Sequence, residues 1–246
     1  MRLLHMIYLS ELWHEIKSDM SSLGWREPLL VIVASICIFV SMGMQGVFSS
    51  VKYINLLWAP FDPLHLQFYA YVNWFLNYFV LYLLVPLFFV CVFYRCRLSF
   101  FGFGAGSLRR YMPLYGMLLL LMVPVVVISS LSRDFSMMYP LMQVPVLHLI
   151  IIWEILYMLQ FVAVEFLFRG FLLFPFCEKY GTAGILFSVI PYCIIHLGKP
   201  VPEAMGAVIT GVILGYLAWK SKSIWGGVLL HGIIALLMDM LALLNR

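Results

Sequence analysis

Val164-Glu165-Phe166-Leu167-Phe168-Arg169-Gly170 puts a carboxylate and a guanidinium four residues apart, inside a strongly apolar run from Ile150 to Phe176. On a helix the two side chains lie one turn apart on the same face, so they can pair. In hydrocarbon an isolated charge costs at least ~2.5–3.5 kcal/mol on insertion scales, and an ionisable residue there marks a functional site by default. Two readings follow from the stretch alone: the two charges only neutralise each other, or they belong to a polar site inside a membrane bundle. The rest of the chain decides between them.

The 246 residues are 64% hydrophobic and 11% charged, with a mean hydropathy of +1.02. Soluble domains carry roughly 25% charged residues. No water-soluble globule of this size hides so much apolar surface, so the chain is expected to be an all-α, polytopic membrane bundle. At ~20 residues per crossing it has room for about seven spans. A formal net charge of +4, spread over loop ends, speaks to topology and excludes a nucleic-acid binder. Cys37, Cys91, Cys96, Cys177 and Cys193 show no CxxC pairing and read as small apolar fillers. No compact apolar core with a small-residue cleavage site opens the chain, so no cleaved leader is expected.

Outward from the central stretch, the chain divides into three parts. Residues 1–27 carry Leu3, Leu4, Ile7, Tyr8, Leu12 and Ile16 at helical spacing, which predicts an amphipathic helix on the membrane surface. Residues 28–144 hold three spans: Pro28–Phe48, the aromatic-rich Gln67–Phe93 and Met112–Leu131. Tyr53, Trp58 and Phe61 serve as interface anchors in the first loop. Asn73 and Asn77, one turn apart, suit an interhelical hydrogen bond. The segment 94–110 reads as a flexible basic loop around Gly102, Gly104 and Gly106. Its GFGAG is no nucleotide fingerprint, because no strand precedes it. Residues 145–246 supply four more spans: Pro145–Pro175, Thr182–His196, Pro202–Trp219 and Ile224–Leu244. Arg and Lys concentrate in alternate connections, which puts the N-terminus in the cytoplasm and the C-terminus outside.

The last four spans hold Glu165, Arg169, His196, Glu203, His231 and Asp239. One shared polar cavity explains six such groups better than scattered surface charge does. A carboxylate and a histidine around one water are the parts of general acid–base hydrolysis, and a second histidine can hold the oxyanion.

Over residues 150–245 the ordered set resembles the CAAX-protease and bacteriocin-processing family of intramembrane glutamic endopeptidases. Its signature is Glu-Glu-x-x-x-Arg-Gly, then aromatic-x-x-x-His, then His-x-x-x-Asn. Glu165, Arg169 and Gly170 match the end of the first motif, Tyr192 and His196 the second, and His231 the start of the third. The resemblance implies peptide hydrolysis with Glu165 as base assisted by His196, with His231 toward the oxyanion and Arg169, Glu203 and Asp239 in support. It also implies a membrane-anchored or sorting-signal peptide as substrate, a bacterial cytoplasmic membrane as location, and no cofactor. Segment 191–203 and the helix from Trp225 to Asp239 resemble a divergent bacterial branch. The chain departs from the family at Val164, in place of the first Glu, and at Ala235, in place of the Asn.

Three rivals stand beside this reading. Glu165, His196 and His231 could ligate zinc, although no HExxH is present. Val164 and Ala235 suit a catalytically inactive membrane scaffold. A transporter would need paired helix breaks in two repeats, and no such repeat is visible.

Overall fold

The computed structural model describes Glu11, Trp13, His14 and Ser18, and residues 26–48, 63–94, 97–143 and 146–245. The expected surface helix of residues 1–27 and the anchors Tyr53, Trp58 and Phe61 lie outside the described residues. The regular structure of the described residues is helical, without strands. Helix α1 is Arg26–Phe48. A rod, α2, joins Pro63–Tyr78, a π-helical Phe79–Leu84, Val85–Phe89 and a second π turn, Val90–Tyr94. Then come α3, Leu108–Ser129, and the short α4, Arg133–Met138. The central rod α5 joins Leu147–Glu165, a π-helical Phe166–Leu173 and Phe174–Tyr180. Helices α6 (Leu186–Ile194), α7 (Val201–Ser221) and α8 (Trp225–Leu244) complete the chain.

Six helices are long and apolar enough to cross a membrane. The outward faces carry exposed Phe39, Leu120, Ile128, Ile155 and Ile209, which is the surface a bilayer covers. The protein is an integral membrane protein. The seventh expected span, Thr182–His196, is present only as a short pass. Gly181, at φ +60, turns the chain back, a 3-10 stretch Gly181–Ile185 follows, and α6 has nine residues. Residues 181–194 reach about 21 Å even if fully helical, short of the ~30 Å hydrocarbon core. Helix α6 therefore ends within the bundle, residues 195–200 carry the chain on to the far end, and it returns as α7 packed against α6.

Because the half-pass still reverses direction, the alternation of the chain is kept. At one end, Lys179 lies 3.4 Å from Glu27, Ser107 N–H donates to Ser221 O at 2.7 Å, and Ile224 N–H donates to Gly102 O at 3.0 Å. At the other, Asn245 Nδ2 donates to Ser130 Oγ at 3.2 Å, and Tyr139 donates to Glu203. Arg26, Arg97, Arg109, Arg110, Lys179, Lys220 and Lys222 cluster at the first end, against Arg133 and Lys199 at the second.

Within the flexible loop expected at 94–110, residues 97–107 instead form a packed cap. Phe101 is fully buried, and a Cβ on Gly102 would meet the Phe174 ring at 2.5 Å. Gly106, at φ +50, sits where a Cβ would fall 2.1 Å from Ser221 O. Only glycine tolerates both the conformation and the approach. The core lies around the π-helical part of α5, where Phe166, Leu167, Phe168, Phe171 and Leu173 are buried against α1, α2 and α6.

Candidate active site

Helices α5 and α8 run antiparallel, and small residues on α8 bring them close. A Cβ at Gly227 would lie 2.2 Å from Glu165 Oε2, and one at Gly232 would lie 2.9 Å from Met158 Sδ. His231, one turn after Gly227, stacks on Phe161 with centroids 5.5 Å apart and planes at 17°. Ala235 shares a buried cluster with Tyr157, and Asp239 faces Glu154. The levels 165/227, 161/231, 157/235 and 154/239 fall at steps of about one turn, so one line of residues on each helix forms a seam.

At the inner end of the seam Glu165 and Arg169 are both fully buried, 3.1 Å apart from Oε1 to Nη1. The same Oε1 is 2.8 Å from His231 Nδ1. A carboxylate only accepts, so Nδ1 carries the hydrogen, and in the neutral ring Nε2 keeps the lone pair. The Tyr192 hydroxyl, from α6, lies 2.9 Å from Nε2 and is then the donor. Arg169 sits over the Tyr192 ring at 4.1 Å, a cation–π contact that ties α6 to α5. The broad π turn that begins at Phe166 is a feature frequent at functional sites.

His196 follows Tyr192 by one turn. Its Nδ1 lies 2.9 Å from the Tyr192 carbonyl and its ring 4.5 Å from the Tyr192 ring. A carbonyl accepts, so Nδ1–H donates and Nε2 is left with its lone pair. Burial pushes this imidazole down to about 4, so it is neutral at pH 7. Tyr192 stands between the two imidazoles, with His231 at a centroid distance of 6.0 Å.

A second polar group closes the other end of the seam. Tyr139 O–H donates to Glu203 Oε2 at 2.9 Å, and Lys199 Nζ donates to the Tyr139 oxygen at 3.0 Å while lying 3.4 Å from Glu203 Oε1. The Leu141 amide donates to Asp239 Oδ1 at 3.1 Å. Of the six residues expected from sequence, Glu165, Arg169 and His231 thus touch directly and His196 joins them through Tyr192. Glu203 and Asp239 fall in the outer group. The expected Glu165–His196 partnership is replaced by Glu165–His231. Among the described residues no group of three His, Cys, Asp or Glu has the geometry to hold a metal ion, so the zinc reading finds no ligand set there.

Sequence reasoning missed Glu154, Tyr139 and Lys199. Glu154 had a legible signal. It is an acid inside the same apolar run, eleven residues before Glu165, which is three turns and therefore the same face.

Residues 146–237 match the family model described as Type II CAAX prenyl endopeptidase Rce1-like. No curated protein and no solved structure matches the chain. The matched segment runs from the start of α5 into α8, so it contains the inner site whole. Its two departures from the family signature are both packed in apolar surroundings. Val164 is 6% exposed in the cluster around α5, and Ala235 is 5% exposed beside Trp153 and Tyr157. Neither position offers a polar atom to a water. The polar atoms of the seam lie at the levels above and below them.

Proposed function

We propose that the protein is an intramembrane endopeptidase that hydrolyses a peptide bond near the C-terminal or membrane-embedded segment of a membrane-associated substrate. The proposal includes a bacterial cytoplasmic membrane as its location, with the Arg- and Lys-rich end of the bundle in the cytoplasm. One observation carries the reading: a buried carboxylate, Glu165, holds the imidazole of His231 with Nε2 presenting its lone pair, while a second neutral imidazole, His196, stands on the far side of Tyr192.

In this mechanism substrate entry frees the Tyr192 hydroxyl from His231 Nε2, Nε2 takes the proton of the attacking water, and Glu165 stabilises the imidazolium that forms. The arrangement follows the carboxylate–histidine logic of other hydrolases. Hydroxide adds to the carbonyl carbon, and the Tyr192 hydroxyl, with His196 behind it, faces the developing oxyanion. The proton held on His231 then passes to the leaving nitrogen, giving an acid and an amine from one peptide bond and one water. Arg169 pairs with Glu165 within the bundle. Glu203 and Asp239 support the outer wall.

The inactive-scaffold reading draws on a specific observation too, since Val164 and Ala235 place apolar groups where the family signature has Glu and Asn. The experiment that separates the two maps protein termini by mass spectrometry in membranes from cells expressing the wild type, Glu165→Gln, His196→Ala or His231→Ala. The peptidase reading expects a set of new termini in the wild type that vanishes in all three variants. Identical termini in wild type and variants would leave the scaffold.

A further inference from the structure

The outer group poses a charge problem that the inner site does not have. At the inner site one carboxylate, Glu165, meets one guanidinium, Arg169. The outer group holds three carboxyl groups, Glu154, Asp239 and Glu203, against one ammonium, Lys199. That ammonium is already committed to Glu203 and the Tyr139 oxygen. His196, whose electrostatic neighbours include Glu203 and Lys199, is neutral and adds no charge. The other titratable groups that feel these acids are the phenols of Tyr71, Tyr139, Tyr157 and Tyr192, which add none either.

Glu154 and Asp239 face one another across α5 and α8, each the other's electrostatic neighbour. Asp239 is 2% exposed, and its Oδ1 accepts from Leu141 N–H at 3.1 Å. No N–H or O–H donor of the described residues reaches its buried Oδ2 or the buried Oε2 of Glu154. Two carboxyl groups in contact cannot both be ionised, so one proton is held between them. Even then one negative charge is left over in the outer group. Beside it, Trp153 stacks on Tyr157 at 5.3 Å and 12°, and on Trp74 at 5.6 Å. Acids beside aromatic rings are the surroundings an organic cation prefers.

We propose that Glu154 and Asp239 form a subsite for a basic side chain, lysine or arginine, of a membrane-inserted peptide. The proposal rests on the reading that the protein acts on such peptides, and it names a feature of them. Entry of the cation displaces the shared proton, so an ammonium or guanidinium goes in and one proton leaves. Glu154 is half-buried and Glu203 and Lys199 are each a quarter exposed, which leaves the subsite open on that side. Asp239 lies two turns, about 12 Å, along α8 from His231. An extended peptide covers that distance in three to four residues, so the basic residue sits that far from the bond to be cleaved.

The test is binding, read without cleavage. The full chain in lipid nanodiscs is titrated with a capped leucine–alanine peptide carrying one lysine near one end, and with a twin carrying glutamine there. Tryptophan fluorescence gives affinity, and calorimetry in buffers of different ionisation enthalpy gives proton release. The lysine peptide is expected to bind at least ~10-fold tighter than its twin, with release of about one proton. Glu154→Gln and Asp239→Asn should each abolish the preference and the proton release, while Glu154→Asp keeps both. Equal binding of the two peptides by the wild type, or a preference that survives both carboxamide variants, overturns the subsite. A lysine preference in a protein that produces no new termini would defeat the peptidase reading and leave the subsite standing. Cleavage without the preference would do the reverse.

Discussion

Gly227→Ala adds one methyl group at the point where α8 passes Glu165. That methyl would lie 2.2 Å from Oε2 and 2.7 Å from Cδ of the carboxylate. A comfortable carbon–oxygen contact needs roughly 1 Å more than the shorter of these. Relief can come in two ways. Either α8 backs away by that amount, or the carboxylate turns out of its place between Arg169, at 3.1 Å, and His231, at 2.8 Å. Overpacking of this kind costs about 1–3 kcal/mol, and breaking a buried ion pair about 3–5 kcal/mol, so the loss should fall between about 2 and 4 kcal/mol. Gly206→Ala is the matched control, because nothing lies within 4 Å of its Cβ position and the helix gains propensity. Unfolding of both variants in detergent, followed by denaturant or heat, gives the stability difference. Terminal mapping gives the activity, for which a displacement near 1 Å predicts a loss of about 100-fold. A Gly227→Ala protein as stable and as active as Gly206→Ala would refute the close approach of α8 to Glu165 and the site built on it.

Two further outcomes are expected. Arg169→Leu leaves the Glu165 carboxylate buried without its cation and should destabilise the bundle by about 3–5 kcal/mol, measured by detergent unfolding; Glu165→Gln combined with Arg169→Leu should recover part of that loss. The neutral His196 adds a pH dependence. Its imidazole titrates at about 4 in the folded chain against 6.5 in the unfolded one, so the unfolded chain binds more protons between those values. Its contribution is full above pH 6.5, declines as the pH falls toward 4, and is constant below. The difference in unfolding midpoint between wild type and His196→Gln, followed from pH 7 to pH 4, should trace that decline, and a flat difference would contradict the burial of the ring.

Much of the fold is legible in the sequence because lipid imposes a simple rule: long apolar stretches must become helices. Pairing between neighbours in sequence is legible for the same reason. Glu165 and Arg169 are set one turn apart by the chain itself, and they meet. What the sequence could not supply was the register between distant helices. The partner of Glu165 is His231 rather than His196, because Gly227 lets α8 come close at that level while α6 stops short and offers Tyr192 first. The half-pass was hidden because 182–196 is apolar enough for a span, and only its length, about 15 residues up to His196, argues against one. The glycines at 102–106 read as freedom, but they are close contacts with Phe174 and Ser221. Glu154 was overlooked because its meaning comes from Asp239, 85 positions away.

The matched levels of α5 and α8 have an evolutionary implication. Since four facing pairs share one phase, the two helices behave as a ratchet with a single setting. Removing one residue between Glu154 and Glu165 would swing the outer acid about 100° around the rod while leaving the inner one in place. Lineages of this protein should therefore tolerate changes of side chain along 154–165 and 227–239 far more readily than any change in the number of residues there.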